Sequence, residues 1–60
     1  MTPTEIKKLR IDLDLTQKEL AAKMKVSIDT IKSWESGRRK ISEPARILLL
    51  LLDAGVHIRV

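Results

Sequence analysis

Apolar residues recur along this chain at spacings of three and four in four separate stretches. That is the period of helices that each bury one face. In the first stretch Ile6, Leu9 and Leu13 share a face, while Lys7, Lys8 and Asp12 fall on the solvated side. Thr2 can cap this helix, Pro3 suits its first position, and Glu5 three residues after Thr2 completes a capping box. Asp14 and Leu15 form a link, with Leu15 turned inward as a hydrophobic staple for the next helix. Thr16 and Glu19 repeat the capping pattern, so helix 2 runs from about Gln17 to Lys25, with Leu20, Ala21 and Met24 on one face. Lys25 and Val26 make a tight turn, and Val26 plugs the angle between two helices. Ser27 is a good N-cap for helix 3, over about Ile28 to Ser36. Ile31 and Trp34 point inward, and Gly37 stands where a glycine ends a helix. Trp34 shares its face with Ile31 and Val26, so it reads as core and not as a stacking platform.

The fourth stretch differs. Ser42 caps it, Glu43 and Pro44 occupy its first turn, and it continues through Leu52 to about Ala54, where Gly55 ends it. Ile47 to Leu52 is apolar at six consecutive positions, which at 3.6 residues per turn covers every side of a helix. The spacing predicts Leu48, Leu51 and Leu52 as the core set and leaves Ile47, Leu49 and Leu50 partly outward. Beyond Gly55 the period changes to two. Val56, Ile58 and Val60 alternate with His57 and Arg59, the pattern of a short strand, with His57 on the surface. The expected fold is all-α: a compact bundle of four short helices, helices 2 and 3 forming a helix-turn-helix, with a short extended C-terminal tail.

Length and composition narrow the function classes. Sixty residues make one domain at most, spanning residues 1–60, and a domain this small has only marginal stability. There is no cysteine and one histidine, which argues against a disulfide staple or a structural metal site. Met1 to Arg10 carries no apolar leader core, and the apolar run Ile47 to Leu52 is too short to span a membrane. A cytoplasmic protein without membrane contact is expected. The formal net charge of +4 favours an anionic partner.

The segment Thr16 to Gly37, TQKELAAKMKVSIDTIKSWESG, joins these threads. Asp29, Thr30 and Ser33 are small or polar and lie opposite Ile31 and Trp34. A short helix with few bulky outward residues, backed by a supporting helix, can enter the DNA major groove. T-Q-K-E-L-A, then V-S-x-x-T-I-K-S-W-E-S-G-R-R-K, resembles the phage Cro/repressor helix-turn-helix family, also called the XRE family. The likeness covers roughly Thr4 to Leu52. One departure is Lys25, where the family usually has glycine; a left-handed backbone there costs a non-glycine residue roughly 1 kcal/mol.

The resemblance implies roles for individual residues. Gln17 stands where family members bind a phosphate and brace the recognition helix. Thr30 and Ser33 match positions that contact DNA. Arg10 and Glu35 match an arginine of helix 1 that pairs with a glutamate late in helix 3. The remaining expectations come from chemistry. Ser27 caps helix 3 beside the proposed groove. Ile28, at the tip of that helix, can touch a thymine methyl or pack against the turn. Asp29 can accept from a cytosine amino group, or serve as a favourable acid in a first turn. Lys32 is placed for phosphate or solvent. Ser36, Arg38, Arg39 and Lys40 lie at or after the end of helix 3, where Arg38 to Lys40 form a flexible basic loop suited to clamp phosphates.

No catalytic set is visible. The chain lacks a Gly-rich phosphate loop and a carboxylate pair in a plausible cleft, and no cofactor is implied. The first expectation is a sequence-specific DNA-binding regulator, a repressor or an antitoxin-type autoregulator. Its partners would be double-stranded DNA with a palindromic operator and a second copy of itself, joined through helix 4 and the tail. The alternative, from another class, is a protein-interaction module that docks a partner on its apolar helix 4.

Overall fold

The computed structural model describes residues 1–55. It contains four helices: α1 (Pro3–Asp12), α2 (Gln17–Met24), α3 (Ile28–Ser36) and α4 (Glu43–Asp53). The expected all-α architecture is present, with no strand among the described residues. The strand expected over Val56 to Val60, and the surface position of His57, lie outside those residues.

Each helix starts where a side chain can satisfy its first orphan N–H groups. Thr2 Oγ1 accepts from the Glu5 N–H at 3.1 Å, and the Thr2 N–H donates to the Glu5 carboxylate at 2.9 Å. Thr16 and Glu19 repeat this box at the same two distances. Ser27 accepts from the Thr30 N–H, and Ser42 from the Ala45 N–H.

All four helix ends use a left-handed residue, Gly55 at φ 83° closing α4 where the sequence placed its end. Lys25, at φ 60°, follows α2, and the Val26 N–H reaches back to the Ala21 carbonyl at 3.0 Å. Asp14, at φ 58°, plays the same part after α1, with the Leu15 N–H on the Arg10 carbonyl at 3.1 Å. These are Schellman closures on residues other than glycine. Gly37 takes φ 80° after α3, a backbone conformation that favours glycine.

The closures turn the helices onto one core. α2 packs most extensively on α3, α1 packs on α3, and α4 bridges α1 and α2. Ile6, Leu20, Ala21, Met24, Ile31, Trp34 and Leu49 are buried, with Leu9, Leu13, Leu15, Val26, Ile41, Ala45, Leu48 and Leu52 packed around them. Trp34 is therefore a core residue.

α4 corrects one expectation. Leu49 is 0% exposed and Leu51 is 38% exposed, the reverse of the core set read from spacing. Ala45, Leu48, Leu49 and Leu52 form the inward stripe, at steps of three, one and three. Ile47, Leu50, Leu51 and Ala54 form the outward one. An all-apolar run carries no phase information, so packing against α1 and α2 chose the phase.

The capping glutamates make stability depend on pH. Hydrogen bonds from the Thr2 backbone, and next its side chain, hold the Glu5 carboxyl below the ordinary carboxylate range. Thr16 does the same for Glu19. A pKa lowered by folding means that the native state binds fewer protons than the unfolded chain. The stabilisation is complete above the unfolded pKa and is lost as pH falls through the folded one. The melting temperature is thus expected to fall as pH drops through and below the ordinary glutamate range. An E5Q/E19Q chain keeps the capping geometry without the titration and should lose less on acidification. Equal acid losses in the two proteins would show that the caps do not contribute.

Candidate nucleic-acid interface

α3 is held by one partly buried constellation. Arg10 Nε donates to Glu35 Oε2 at 2.7 Å, and Arg10 Nη2 donates to Glu35 Oε1 at 3.0 Å. The third guanidinium nitrogen, Nη1, donates to the Leu15 carbonyl at 2.9 Å. The two side chains are 13% and 6% exposed. A bidentate arginine–carboxylate pair fixes orientation as well as distance, so α1, the α1–α2 link and α3 are locked together. The hydrogen bonds to Glu35 raise the Arg10 pKa against the opposing effect of burial, so Arg10 stays charged. Gln17, at the start of α2, adds a longer contact from Nε2 to Glu35 Oε1 at 3.4 Å. It is half-buried and braces the same carboxylate.

Against this support the outer side of α3 presents Ile28, Asp29 and Lys32, all exposed, with Ser27 exposed just before them. Thr30 is half-buried, and its hydroxyl lies 2.9 Å from the Ser27 hydroxyl. Ser36, Arg38, Arg39 and Lys40 are exposed at the other end. Ser27, Ile28, Asp29, Thr30 and Lys32 thus gather around the first two turns of α3, Gln17 meets Glu35 in its last turn, and the three cations follow its C-terminal end.

Ser33 departs from the outward position expected for it. It is 2% exposed, and its hydroxyl accepts a hydrogen bond from Arg38 Nη2 at 2.6 Å. Its carbonyl accepts from the Arg39 N–H and from Ser36 Oγ, both at 3.2 Å. The start of the basic loop is consequently tied to the helix, where the sequence suggested a flexible segment. No short-range period links a serine to an arginine five residues on across a glycine, so this contact had no sequence signal. The same holds for the bond from Arg10 to the Leu15 carbonyl.

No other described feature suggests chemistry. A shallow groove between α1 and α4 is lined by Met1, Glu5, Lys8, Leu9, Asp12 and Leu50, none of them on α3. Among the described residues no three His, Cys, Asp or Glu side chains gather to hold a metal ion. No helix there is long and apolar enough to cross a membrane.

Comparison with known proteins agrees with this geometry at the level of family. The family model described as helix-turn-helix matches residues 6–51, well over half of the chain. No curated protein and no solved structure matches it. The match takes in most of α1, both arms and the turn of the α2–α3 unit, and most of α4. The chain therefore belongs to the helix-turn-helix family in its Cro/repressor form, a family of DNA-binding regulators.

Proposed function

We propose that the protein is a sequence-specific transcription regulator that places α3 in the major groove of double-stranded DNA. The observation that carries this reading is the pairing of a rigid helix with an open outer face. The Arg10–Glu35–Gln17 cluster fixes α3, and Ile28, Asp29 and Lys32 stand clear of the core. Ile28 is suited to a thymine methyl and Asp29 to a cytosine amino group. Lys32, Arg39 and Lys40 supply charge for phosphates, which position the protein without reading sequence. Ser27, beside the tip of α3, and Gln17, at the start of α2, are suited to flanking phosphates. Residues 1–60 act as one DNA-binding unit, in the cytoplasm, without catalysing a reaction. The regulator acts as a repressor, or as an antitoxin-type autoregulator, by occupying its site.

The outward α4 stripe of Ile47, Leu50, Leu51 and Ala54 supports a homodimer. An apolar stripe of this kind marks an interface in a soluble protein, and two-fold packing of the same stripe buries both copies at once. The longest dimension of the domain is 29 Å. Two such bodies side by side suit recognition helices about 34 Å apart on successive turns of a palindromic operator.

Titration with random-sequence duplex at increasing salt tests the core of the reading. Affinity should fall steeply, because neutralised phosphates release counterions. The R39A/K40A chain should bind all sequences more weakly by a similar factor, with a salt slope flatter by about one per cation removed. A chain that ignores duplex DNA at low salt would instead favour a protein partner on the α4 stripe.

A further inference from the structure

We propose that Arg38 reads a base pair in the major groove, and that Ser33 is the residue that positions it. The proposal rests on the placement of α3 in that groove.

The argument begins with the angular position of Ser33. At about 100° per residue, Ser33 falls on the stripe of α3 that holds Asp29 four residues before and Ser36 three residues after. Both of those neighbours are exposed, and Ile31 and Trp34 take up the core on the other side. Helix geometry alone therefore leaves Ser33 open, yet it is 2% exposed. Its partners identify the cover. Ser36 Oγ and the Arg39 N–H both reach the Ser33 carbonyl, and Arg38 Nη2 reaches its hydroxyl. The chain after Gly37 folds back over the outer stripe and brings the Arg38 guanidinium onto it. The Arg38 backbone is held as well, its N–H lying 3.4 Å from Ser36 Oγ.

Arg38 itself remains exposed. One of its five N–H donors is spent on Ser33, and the others are left for a ligand. A guanidinium at a fixed place on the groove-facing stripe has what base reading requires. It is a planar fork in a set orientation, able to meet O6 and N7 of a guanine together. Arg39 and Lys40 have no side-chain hydrogen bond among the described residues, as suits cations that follow the backbone. Ser33, too short to reach far itself, acts through Arg38.

Selection of bound sites from a random duplex library, with the 60-residue chain and its variants, tests this directly. R38K keeps the charge and removes the fork. It should lower discrimination at one base pair by roughly five- to hundredfold, with the other selected positions, the affinity for random duplex and the salt slope unchanged. S33A should relax the same base pair to a smaller degree and add nothing in the R38K background. K8R, on α1 and away from α3, should select the parent site. Thermal melts of each variant establish that it is folded, and R38K alone decides the reading of a base if S33A is not.

An R38K chain that selects the parent site with parent discrimination would overturn the proposal while leaving α3 in the groove. An S33A effect that persists in the R38K background would overturn the positioning role. A parent chain that enriches no site would overturn both this proposal and the function it rests on.

Discussion

Replacing Glu35 with alanine is expected to remove about 3 kcal/mol of folding stability, far more than the loss of a surface ion pair. The cause is what remains behind. Arg10 is only 13% exposed, and two of its hydrogen bonds go to Glu35. Without that carboxylate a charge stays in a partly dry site with one carbonyl for company. Arg10→Ala strands Glu35 in the same way, leaving it the longer contact from Gln17. Domains of this length have total stabilities of roughly 3–9 kcal/mol. Either variant should therefore melt roughly 10–20 °C lower, and a marginal parent would be largely unfolded. A double-mutant cycle isolates the pair: the R10A/E35A chain should lose much less than the sum of the single losses. Additive losses would show that the two side chains do not stabilise one another. DNA binding should fall with stability, because the pair holds α3 against α1.

The second large effect is expected at α4. Leu49→Ala empties a fully buried position and should cost about 3 kcal/mol, from lost burial and the cavity left behind. Leu51→Ala should change the stability of the monomer by less than about 0.5 kcal/mol, because that side chain already faces out. Urea denaturation at low protein concentration measures both. The reverse order of losses would restore the helix phase read from spacing. Sedimentation equilibrium on the same face completes the test. The parent chain should self-associate at high micromolar concentration, and Leu50→Lys should leave it monomeric without lowering its urea midpoint. A monomeric parent under those conditions would remove the proposed dimer.

These two helices mark the boundary between local and tertiary information. The four helix starts were legible because a cap acts over three residues. Thr2 with Glu5, Thr16 with Glu19, Ser27 and Ser42 each carry their donors and acceptors within one turn. Gly37 was legible for the same reason, since the need for a positive φ is a property of one residue. The ordered residues of the α2–α3 unit resemble the Cro/repressor pattern closely enough to have named the family. Asp14 shows the limit of such rules, because it takes the left-handed conformation without being glycine and was read only as part of a link, whereas at Lys25 the family likeness had pointed to that conformation.

The tertiary structure decided what no short window encodes. Six apolar residues in a row offer α4 every face equally, so only the shape of the α1–α2 surface selects Leu49 over Leu51. Arg10 and Glu35 are separated by twenty-five positions. A family likeness suggested that they pair, and folding sets the bidentate geometry and adds the Leu15 carbonyl. The side-chain period of α3 puts Ser33 outside, and the chain that returns after Gly37 buries it beneath Arg38. Hydrogen bonds within one turn are properties of a sequence, whereas the phase of a uniformly apolar helix and the cover over a polar side chain depend on what other segments bring to it.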